Sequence, residues 1–509
     1  MASFAASVAK VGGYTLISRV LGFVRDLVVA RVFGADAGTD AFFVAFRIPN
    51  LMRRLFAEGA FAMAFVPVLS EYRERRPPAE LKRFVDDVTG TLGLVLLVVT
   101  ALGILAAPWL VLAFAPGFTD APGQQLLATD MLRLTFPYLL FISLTALAGG
   151  ILNTFGNFGV PAFTPVLLNL SLIGCALWLA PQLDRPIVAL AWGVLLAGVA
   201  QLAFQWPFLA RLGLLPRPRF NPRDPGVRRI LRLMGPALLG VSVGQINMLV
   251  STLLASFLAA GSISWLYYSD RLMEFPLGII GVALGTVILP RLSREHSTDT
   301  PRAFSATLDW ALRWVLILGL PAALGLLVLA GPLFATLFLS DAFTLADVRS
   351  AAASLMAYAP GVLGFLGVKV LAPGYYARQH MRAPVRVAVV AMLANMALSL
   401  ALMWPLGHVG LALATSLAAL LNAGLLLRGL LRGGIYCPEP GWAWLLIQCL
   451  GAGLVMASVL YLGCPATDLW TTLGTGERVM QLFGWIGAGA LAYGLTLLAL
   501  GLRPKHLRP

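Results

Sequence analysis

Basic side chains lie inside long apolar stretches of this chain, and arginine is the residue type that could do chemistry there. The first stretch contains Ser18-Arg19 and, seven residues further on, Arg25-Asp26. Seven residues are nearly two helical turns, so Arg19 and Asp26 share one helix face, and Arg25 lies about a third of a turn away. The guanidinium fork binds phosphate oxygens in pairs and keeps its charge. This spacing therefore favours phosphate binding.

A second apolar stretch is more densely charged. It contains Asp40, Arg47, Arg53, Arg54 and Glu58. Arg54 and Glu58 are i,i+4 neighbours, so they can pair along one helix. Arg47 and Arg54 also share a face, which predicts that Arg53 points elsewhere and is available to a ligand.

A third apolar stretch opens with Asp270, Arg271 and Glu274. The two acids are i,i+4 neighbours, and Arg271 lies beside them. An ionised side chain at the bilayer centre costs about 2.5–3.5 kcal/mol on insertion scales, so such charges normally face a water-filled interior. One interpretation is that these arginines reach to the membrane surface or pair with the nearby acids. The other is that they bind an anion.

Composition places this chain in a membrane. Of its 509 residues, 59% are hydrophobic and 12% are charged, whereas a soluble domain has about 25% charged residues. The net charge of +14 lies mostly in short loops, where it sets membrane topology, so nucleic acid is not an expected partner. The four histidines lie scattered at span ends and there is no Gly-x-x-x-x-Gly-Lys phosphate loop, so neither catalysis, a metal nor a cofactor is expected. The four cysteines are interpreted as small hydrophobic residues.

The apolar stretches predict an all-α integral membrane protein with fourteen transmembrane helices. With the N-terminus on the cytoplasmic side, the cytoplasmic loops and the C-terminal segment hold 24 Lys and Arg, and the opposite loops hold three. This asymmetry is typical of the positive-inside rule and predicts cytoplasmic N- and C-termini. The predicted spans are 11–33, 39–69, 85–114, 126–152, 160–180, 187–210, 230–259, 265–290, 308–338, 351–376, 384–404, 409–430, 441–463 and 480–502.

An internal repeat relates spans 1–6 to spans 7–12. Pro67 matches Pro290 and Pro161 matches Pro384, and the separation along the chain is identical in both pairs. The similar segments that begin at 188 and 411 share that separation. Six spans per copy give both copies one orientation, which predicts a pseudo-two-fold axis along the membrane normal. The predicted domains are 1–215 for the N-lobe, 216–435 for the C-lobe, and 436–509 for the two added spans and a cytoplasmic tail.

The repeat assigns the arginines to both lobes, because spans 1 and 2 belong to one copy and span 8 to the other. We therefore expect a cationic pocket between the lobes. Arginines at one depth repel each other unless an anion joins them, which predicts a ligand with one or two phosphates. Asp40 and Glu58 would hold the arginines apart or gate the pocket.

Four segments resemble the MurJ/MviN family of the multidrug/oligosaccharidyl-lipid/polysaccharide exporter superfamily. They are SRVLGFVRD at 18–26, TDAFFVAF at 39–46, PNLMRRLFAEGAF at 49–61 and WLYYSDRLMEFP at 265–276. The similarity extends over the whole chain, including the two added spans.

This resemblance implies a carrier that moves lipid II, an undecaprenyl-pyrophosphate-linked disaccharide-pentapeptide, from the cytoplasmic to the periplasmic leaflet of the bacterial inner membrane. Two six-helix lobes would rock by alternating access, and the last two helices would form a groove for the lipid tail. Lipid II, membrane lipids and the cell-wall synthesis machinery are the implied partners. The substrate-binding residues it implies are Arg19, Arg25, Arg53, Arg271 and Asp40, and the supporting cavity residues are Ser18, Asp26, Arg54, Glu58, Asp270 and Glu274.

Some members of the family have a sodium site among spans 7, 11 and 12. In this chain those spans offer Gln245, Asn247 and Asn395 but no carboxylate, so the site is not carried over.

Three other classes of function compete with this one. A sister transporter would carry another polyprenyl-linked glycan, or would export drugs or cations, but a cation exporter should have carboxylates where this chain has arginines. A membrane phosphatase would need a nucleophile or metal-binding acids clustered at one membrane face. A scaffold without transport would have no use for costly buried charges.

Overall fold

The computed structural model describes residues 2–54, 61–298 and 300–502, without the side chains of 2–10, 235–244 and 246. All regular secondary structure in these ranges is helical. The chain divides into two compact units, Met1–Gly261 and Ser262–Pro509.

The first unit contains ten α-helices within the described ranges. They are α1 (Ala2–Phe33), α2 (Ala37–Met52), α3 (Ala62–Arg75), α4 (Pro78–Leu105), α5 (Ala107–Phe114), α6 (Pro122–Thr135), α7 (Tyr138–Thr154), α8 (Gly159–Gly174), α9 (Val188–Arg211) and α10 (Pro225–Ala255).

The second unit also contains ten α-helices within the described ranges. They are α11 (Ser262–Ser297), α12 (Pro301–Val328), α13 (Ala330–Leu337), α14 (Leu345–Tyr358), α15 (Gly361–Tyr376), α16 (Arg382–Leu406), α17 (His408–Arg432), α18 (Trp442–Gly463), α19 (Thr467–Trp470) and α20 (Thr475–Ala499).

The predicted repeat is visible in the helix bounds. Both ends of α4, α5 and α6 recur as the ends of α12, α13 and α14, at the separation that relates Pro67 to Pro290. Pro78 and Pro301 begin α4 and α12 at the first helical position, where the missing N–H of proline costs no hydrogen bond. The two copies therefore share helix lengths and start signals. The lobe boundaries after residues 215 and 435 stay a prediction, because contacts group α10 with the first unit.

Ten helical segments in the described ranges are long and apolar enough to cross a membrane, or eleven if α14 and α15, bent by 42°, form one span. The predicted spans outside this set are 11–33, 39–69 and 230–259. The first is interrupted by the Arg19, Arg25 and Asp26 charges. The second includes residues 55–60, which lie outside the described residues, and the third includes side chains that the structure does not describe. The all-α membrane fold is thus observed, while the count of fourteen stays a prediction.

Each unit has an apolar core that fixes the helices around it. In the first unit Phe65, Phe84, Leu152 and Val227 join α3, α4, α7 and α10. In the second unit a core of α12, α18 and α20 side chains holds the two added helices against the second copy of the repeat. Its buried members include Leu320, Met456, Leu460 and Tyr493.

Candidate functional site: charged residues of the membrane helices

Arg25 is held at the contact between α1 and α8. Its Nε and Nη2 donate to Oδ1 of Asp26 at 3.1 and 2.7 Å, and its Nη1 donates to Oδ1 of Asn169 at 3.1 Å. Asn169 in turn donates to the backbone carbonyl of Ser18 at 3.1 Å. The Arg25 side chain is only 12% exposed, so these contacts fix the direction of its guanidinium. Asn169 was not predicted from the sequence, because it comes 144 residues later in the chain.

Arg19 lies on the same helix in a different environment. It is exposed, and it has no hydrogen bond or ion pair with any residue that the structure describes. Helix geometry alone predicts that Arg19 and Asp26 share a face. The observed partner of Asp26 is its sequence neighbour Arg25, which leaves the charge of Arg19 uncompensated by a described carboxylate.

Asp40 is buried on α2, with 2% of its surface exposed. Its Oδ2 accepts a hydrogen bond from the backbone N–H of Gly261 at 2.8 Å. About two helical turns further along α2, Arg47 donates to the hydroxyl of Thr252 on α10. These two contacts fasten α2 to the last turn of α10 and to the turn that follows it. The assignment of Asp40 to the substrate site stays a prediction.

Arg53 and Arg54 follow directly after α2, and both are partly buried. Arg53 donates from Nε to Oδ1 of Asn50 at 3.0 Å, which links it to the last turn of α2. Glu58, the predicted partner of Arg54, lies outside the described residues, so their pairing stays a prediction.

Arg271 occupies α11 in the second unit. Its Nη1 donates to Oε2 of Glu274 at 2.7 Å, and its guanidinium carbon lies 5.0 Å from the ring centroid of Tyr267. Asp270, predicted beside this pair, is partly buried. An arginine that stacks on an aromatic ring and pairs with an acid is oriented by both contacts.

Lys369 is a further cation of the second unit, to which the sequence analysis assigned no role. It projects from α15 onto α11, where its Nζ donates to the backbone carbonyl of Leu277 at 3.0 Å. A Cβ at Gly281 would lie 2.6 Å from Cδ of Lys369, so the lysine fills the space that this glycine leaves open. The signal available in the sequence was a single lysine within an apolar run.

The contacts of these charged residues give partial support to each interpretation made from the sequence. Arg25 and Arg271 pair with nearby acids, as the simpler interpretation expects, whereas Arg19 pairs with none among the described residues. The described part of the chain contains no group of three or more His, Cys, Asp or Glu that could hold a metal ion.

Comparison with known proteins decides the family. The sequence model of the family described as "Lipid II flippase MurJ" matches residues 29–482. The chain belongs to this family. It is 49% identical to "Probable lipid II flippase MurJ" of Vibrio cholerae, covering 98% of this chain and 96% of that protein. It is 44% identical to "Lipid II flippase MurJ" of Burkholderia cenocepacia, covering 98% of both.

Solved structures agree with this family. The structure of "Lipid II flippase MurJ, inward closed conformation" superimposes with a TM-score of 0.79 at 26% identity, covering 96% of this chain and 97% of that one. An inward-facing multidrug resistance transporter of the MATE family matches with a TM-score of 0.64 at 16% identity, which shows a common fold only. The predicted family, the membrane fold and the expectation of a transporter rather than an enzyme are thereby confirmed.

Proposed function

We propose that this chain carries lipid II across the bacterial inner membrane, from the cytoplasmic to the periplasmic leaflet. The observation that carries the proposal is the set of arginines within predicted spans of a chain of the lipid II flippase family: Arg19 and Arg25 on α1, Arg53 after α2, and Arg271 on α11. Lipid II joins its tail to its sugar through a pyrophosphate, and a guanidinium is the side chain best matched to phosphate oxygens.

In the proposed mechanism these arginines converge on the pyrophosphate from both copies of the repeat. Binding energy comes from charge-assisted hydrogen bonds in a site of low dielectric, which are about twice as strong as neutral ones. The two copies then rock about the bound head group, so that the site opens to one membrane face at a time. Asp40 helps to close the site toward one membrane face, and it does so through its hydrogen bond from the backbone N–H of Gly261.

The carboxylates beside the arginines give this mechanism an exchange step. Asp26 forms an ion pair with Arg25, and Glu274 forms one with Arg271. The distance from guanidinium nitrogen to carboxylate oxygen is 2.7 Å in each pair. An arriving phosphate competes with these acids and takes over their arginines, while Arg19 offers a charge that no described acid neutralises. Ser18, Arg54, Glu58 and Asp270 support the same network.

The proposed topology places both termini in the cytoplasm, as the loop charges predict. The undecaprenyl tail stays among membrane lipids while the head group crosses, and α18 and α20 provide its apolar contact. The cell-wall synthesis machinery supplies the cargo on one face and consumes it on the other, which makes it the proposed functional partner.

The proposal is tested by depleting the protein in cells and identifying the lipid-linked precursor that accumulates on the cytoplasmic side. Lipid II is the expected precursor, and accumulation of a different polyprenyl-linked glycan would reassign the substrate. Variants of Arg19, Arg25, Arg53 and Arg271 to alanine should insert normally and fail to restore growth. Arg349→Ala is a matched control, because Arg349 loses the same charge but forms an exposed pair with Asp468. Full growth of all four variants would contradict the proposal.

A further inference from the structure

The segment between α9 and α10 has no regular secondary structure and is bound along α4. The backbone N–H of Arg217 donates to Oδ1 of Asp86 at 2.7 Å, and that of Arg219 donates to the backbone carbonyl of Asp86 at 3.0 Å. Two residues later, the backbone N–H of Asn221 donates to the hydroxyl of Thr91 at 3.2 Å. We call this segment, 214–221, the first strap.

The first strap lies directly on the surface of α4. The Nδ2 of Asn221 donates to Oδ2 of Asp87 at 2.9 Å, and both Asp86 and Asp87 are buried. A Cβ added at Gly90 would overlap the backbone of Arg219, so only glycine permits this approach. The strap is therefore attached at successive points along one helix face.

The segment between α17 and α18, residues 433–441, is bound in a comparable way on α12. We call it the second strap. Oδ1 of Asp309 accepts hydrogen bonds from the hydroxyl of Tyr436 at 2.7 Å and from the backbone N–H of Glu439 at 3.1 Å. The same oxygen accepts from Nε1 of Trp442, the first residue of α18, at 2.7 Å. Burial, and then the hydrogen bond to Asp309, raise the pKa of Tyr436, so its hydroxyl remains a donor.

Arg313 completes this second attachment. Its Nε donates to Oδ2 of Asp309 at 2.5 Å and its Nη2 donates to the carbonyl of Pro440 at 3.1 Å. Its guanidinium also lies 5.4 Å from the ring centroid of Trp442. Asp309 is 1% exposed in spite of its charge. This burial is sustainable because its carboxylate accepts hydrogen bonds from four groups, which belong to Tyr436, Glu439, Trp442 and Arg313.

The two anchoring aspartates occupy equivalent positions of the repeat. Asp86 and Asp309 have the same separation along the chain as Pro67 and Pro290, and this offset also relates α4 to α12 at both ends. Their surroundings differ, because Asp87 and Gly90 of the first copy correspond to Trp310 and Arg313 of the second. An aspartate at the equivalent position thus holds the segment that follows the sixth span in each copy, although the neighbouring residues and the hydrogen-bond donors differ between the copies.

We propose that Asp86 and Asp309 are positioning residues that keep each strap fixed to its own copy of the repeat throughout transport. The first strap then moves with α4 and does not act as a free linker between the copies. The second strap sets where α18 begins, so α18 and α20 move as one body with α12. This inference rests on the proposed transport function, because it concerns which parts move during the cycle.

A disulfide across each strap tests this. Oγ of Ser305 on α12 donates to the carbonyl of Cys437 at 3.0 Å and accepts from its N–H at 2.9 Å, so Ser305→Cys places a thiol beside the native Cys437. For the first strap, Thr91→Cys and Asn221→Cys form the corresponding pair. Each protein is purified, reconstituted in vesicles with lipid II, and assayed after oxidation with diamide and again after reduction with dithiothreitol.

The disulfides should form, and oxidised and reduced proteins should flip lipid II equally well. Loss of flipping on oxidation with recovery on reduction would overturn the proposal, and so would failure of the disulfides to form, since a fixed strap keeps these residues together. Ser305→Cys with Cys437→Ala is the control for oxidation elsewhere. A wild-type protein that does not flip lipid II would refute the proposed function, while the yield of each disulfide would still report on the straps.

A second measurement separates positioning from general stability. Asp309→Ala removes the acceptor of the hydrogen bonds from Tyr436, Glu439 and Trp442, which releases the second strap. Its flipping should be lost, and the disulfide from Ser305→Cys should restore it under oxidising conditions only. A variant that stays inactive when oxidised would show that Asp309 acts in some other way.

Discussion

Replacing Gly281 by alanine should displace Lys369 from its position on α11. The new Cβ would lie 2.6 Å from Cδ and 2.8 Å from Nζ of Lys369, so the lysine must move and its 3.0 Å hydrogen bond to Leu277 breaks. A hydrogen bond to a charged group contributes about 1.5–3 kcal/mol, and alanine gains about 0.5–1 kcal/mol over glycine within a helix. Because Lys369 is partly solvated, the lower half of that range applies. We expect a net loss of about 0.5–1.5 kcal/mol in the free energy of unfolding.

Gly285 offers a matched control one helical turn further along α11. A Cβ there would meet nothing within 4 Å, so Gly285→Ala should leave stability unchanged or raise it by up to about 1 kcal/mol. Thermal unfolding of the purified proteins in detergent measures both changes. In a Lys369→Ala background the difference between the two alanine variants should disappear, since the side chain that meets the new Cβ at position 281 is gone. Equal effects of both variants in the wild-type background would refute this account of Lys369.

Three further predictions follow from the site and from the first strap. Arg271→Lys keeps the positive charge but cannot donate two parallel hydrogen bonds to a phosphate, so the rate of lipid II flipping in vesicles should fall about tenfold or more. A wild-type rate would show that charge alone suffices. Gly90→Ala should destabilise the protein by about 1–3 kcal/mol in thermal unfolding, because its Cβ overlaps the first strap. Gly93→Ala, with nothing within 4 Å, is its control, and equal effects would contradict the strap contact. Asp26→Asn removes the acid that competes for Arg25, so the variant should bind lipid II more tightly in an equilibrium binding assay and flip it more slowly. Unchanged affinity and rate would argue against the exchange step.

The fold was largely predictable because its signals are local. Apolar runs mark the helices, and a proline at the first helical position marks the start of both α4 and α12. The repeat was detectable from matches such as Pro67 with Pro290, and the helix bounds then followed the same offset. The bend between α14 and α15 was not predicted, although Pro360 and Gly361 lie at the break and were the signal available in the sequence.

The candidate site was predictable in its residue types but not in its contacts. A charged residue within an apolar run is visible in the sequence, and so Arg19, Arg25 and Arg271 were identified. Their partners depend on tertiary structure: Asn169 reaches Arg25 from another helix, and Asp40 bonds to a backbone N–H that any residue could supply.

The anchoring aspartates were overlooked for a related reason. An acid near the start of an apolar run usually indicates a solvated helix end, and nothing in the sequence distinguishes it from a buried one. Asp86 and Asp309 are buried because chain segments far later in the sequence fold over them. Only the offset that they share with the rest of the repeat could have drawn attention to them.

The acids beside the arginines are what a carrier needs if it is to release its cargo. Guanidinium groups alone in a site of low dielectric would repel one another when empty and would hold a pyrophosphate strongly when loaded. Because Asp26 pairs with Arg25 and Glu274 pairs with Arg271, binding in the proposed cycle exchanges one anion for another. The net affinity is then a difference between two similar ion pairings, and each 1.4 kcal/mol of that difference changes it about tenfold. In the proposed cycle, such a balance would allow the same residues to capture lipid II at one membrane face and to release it at the other.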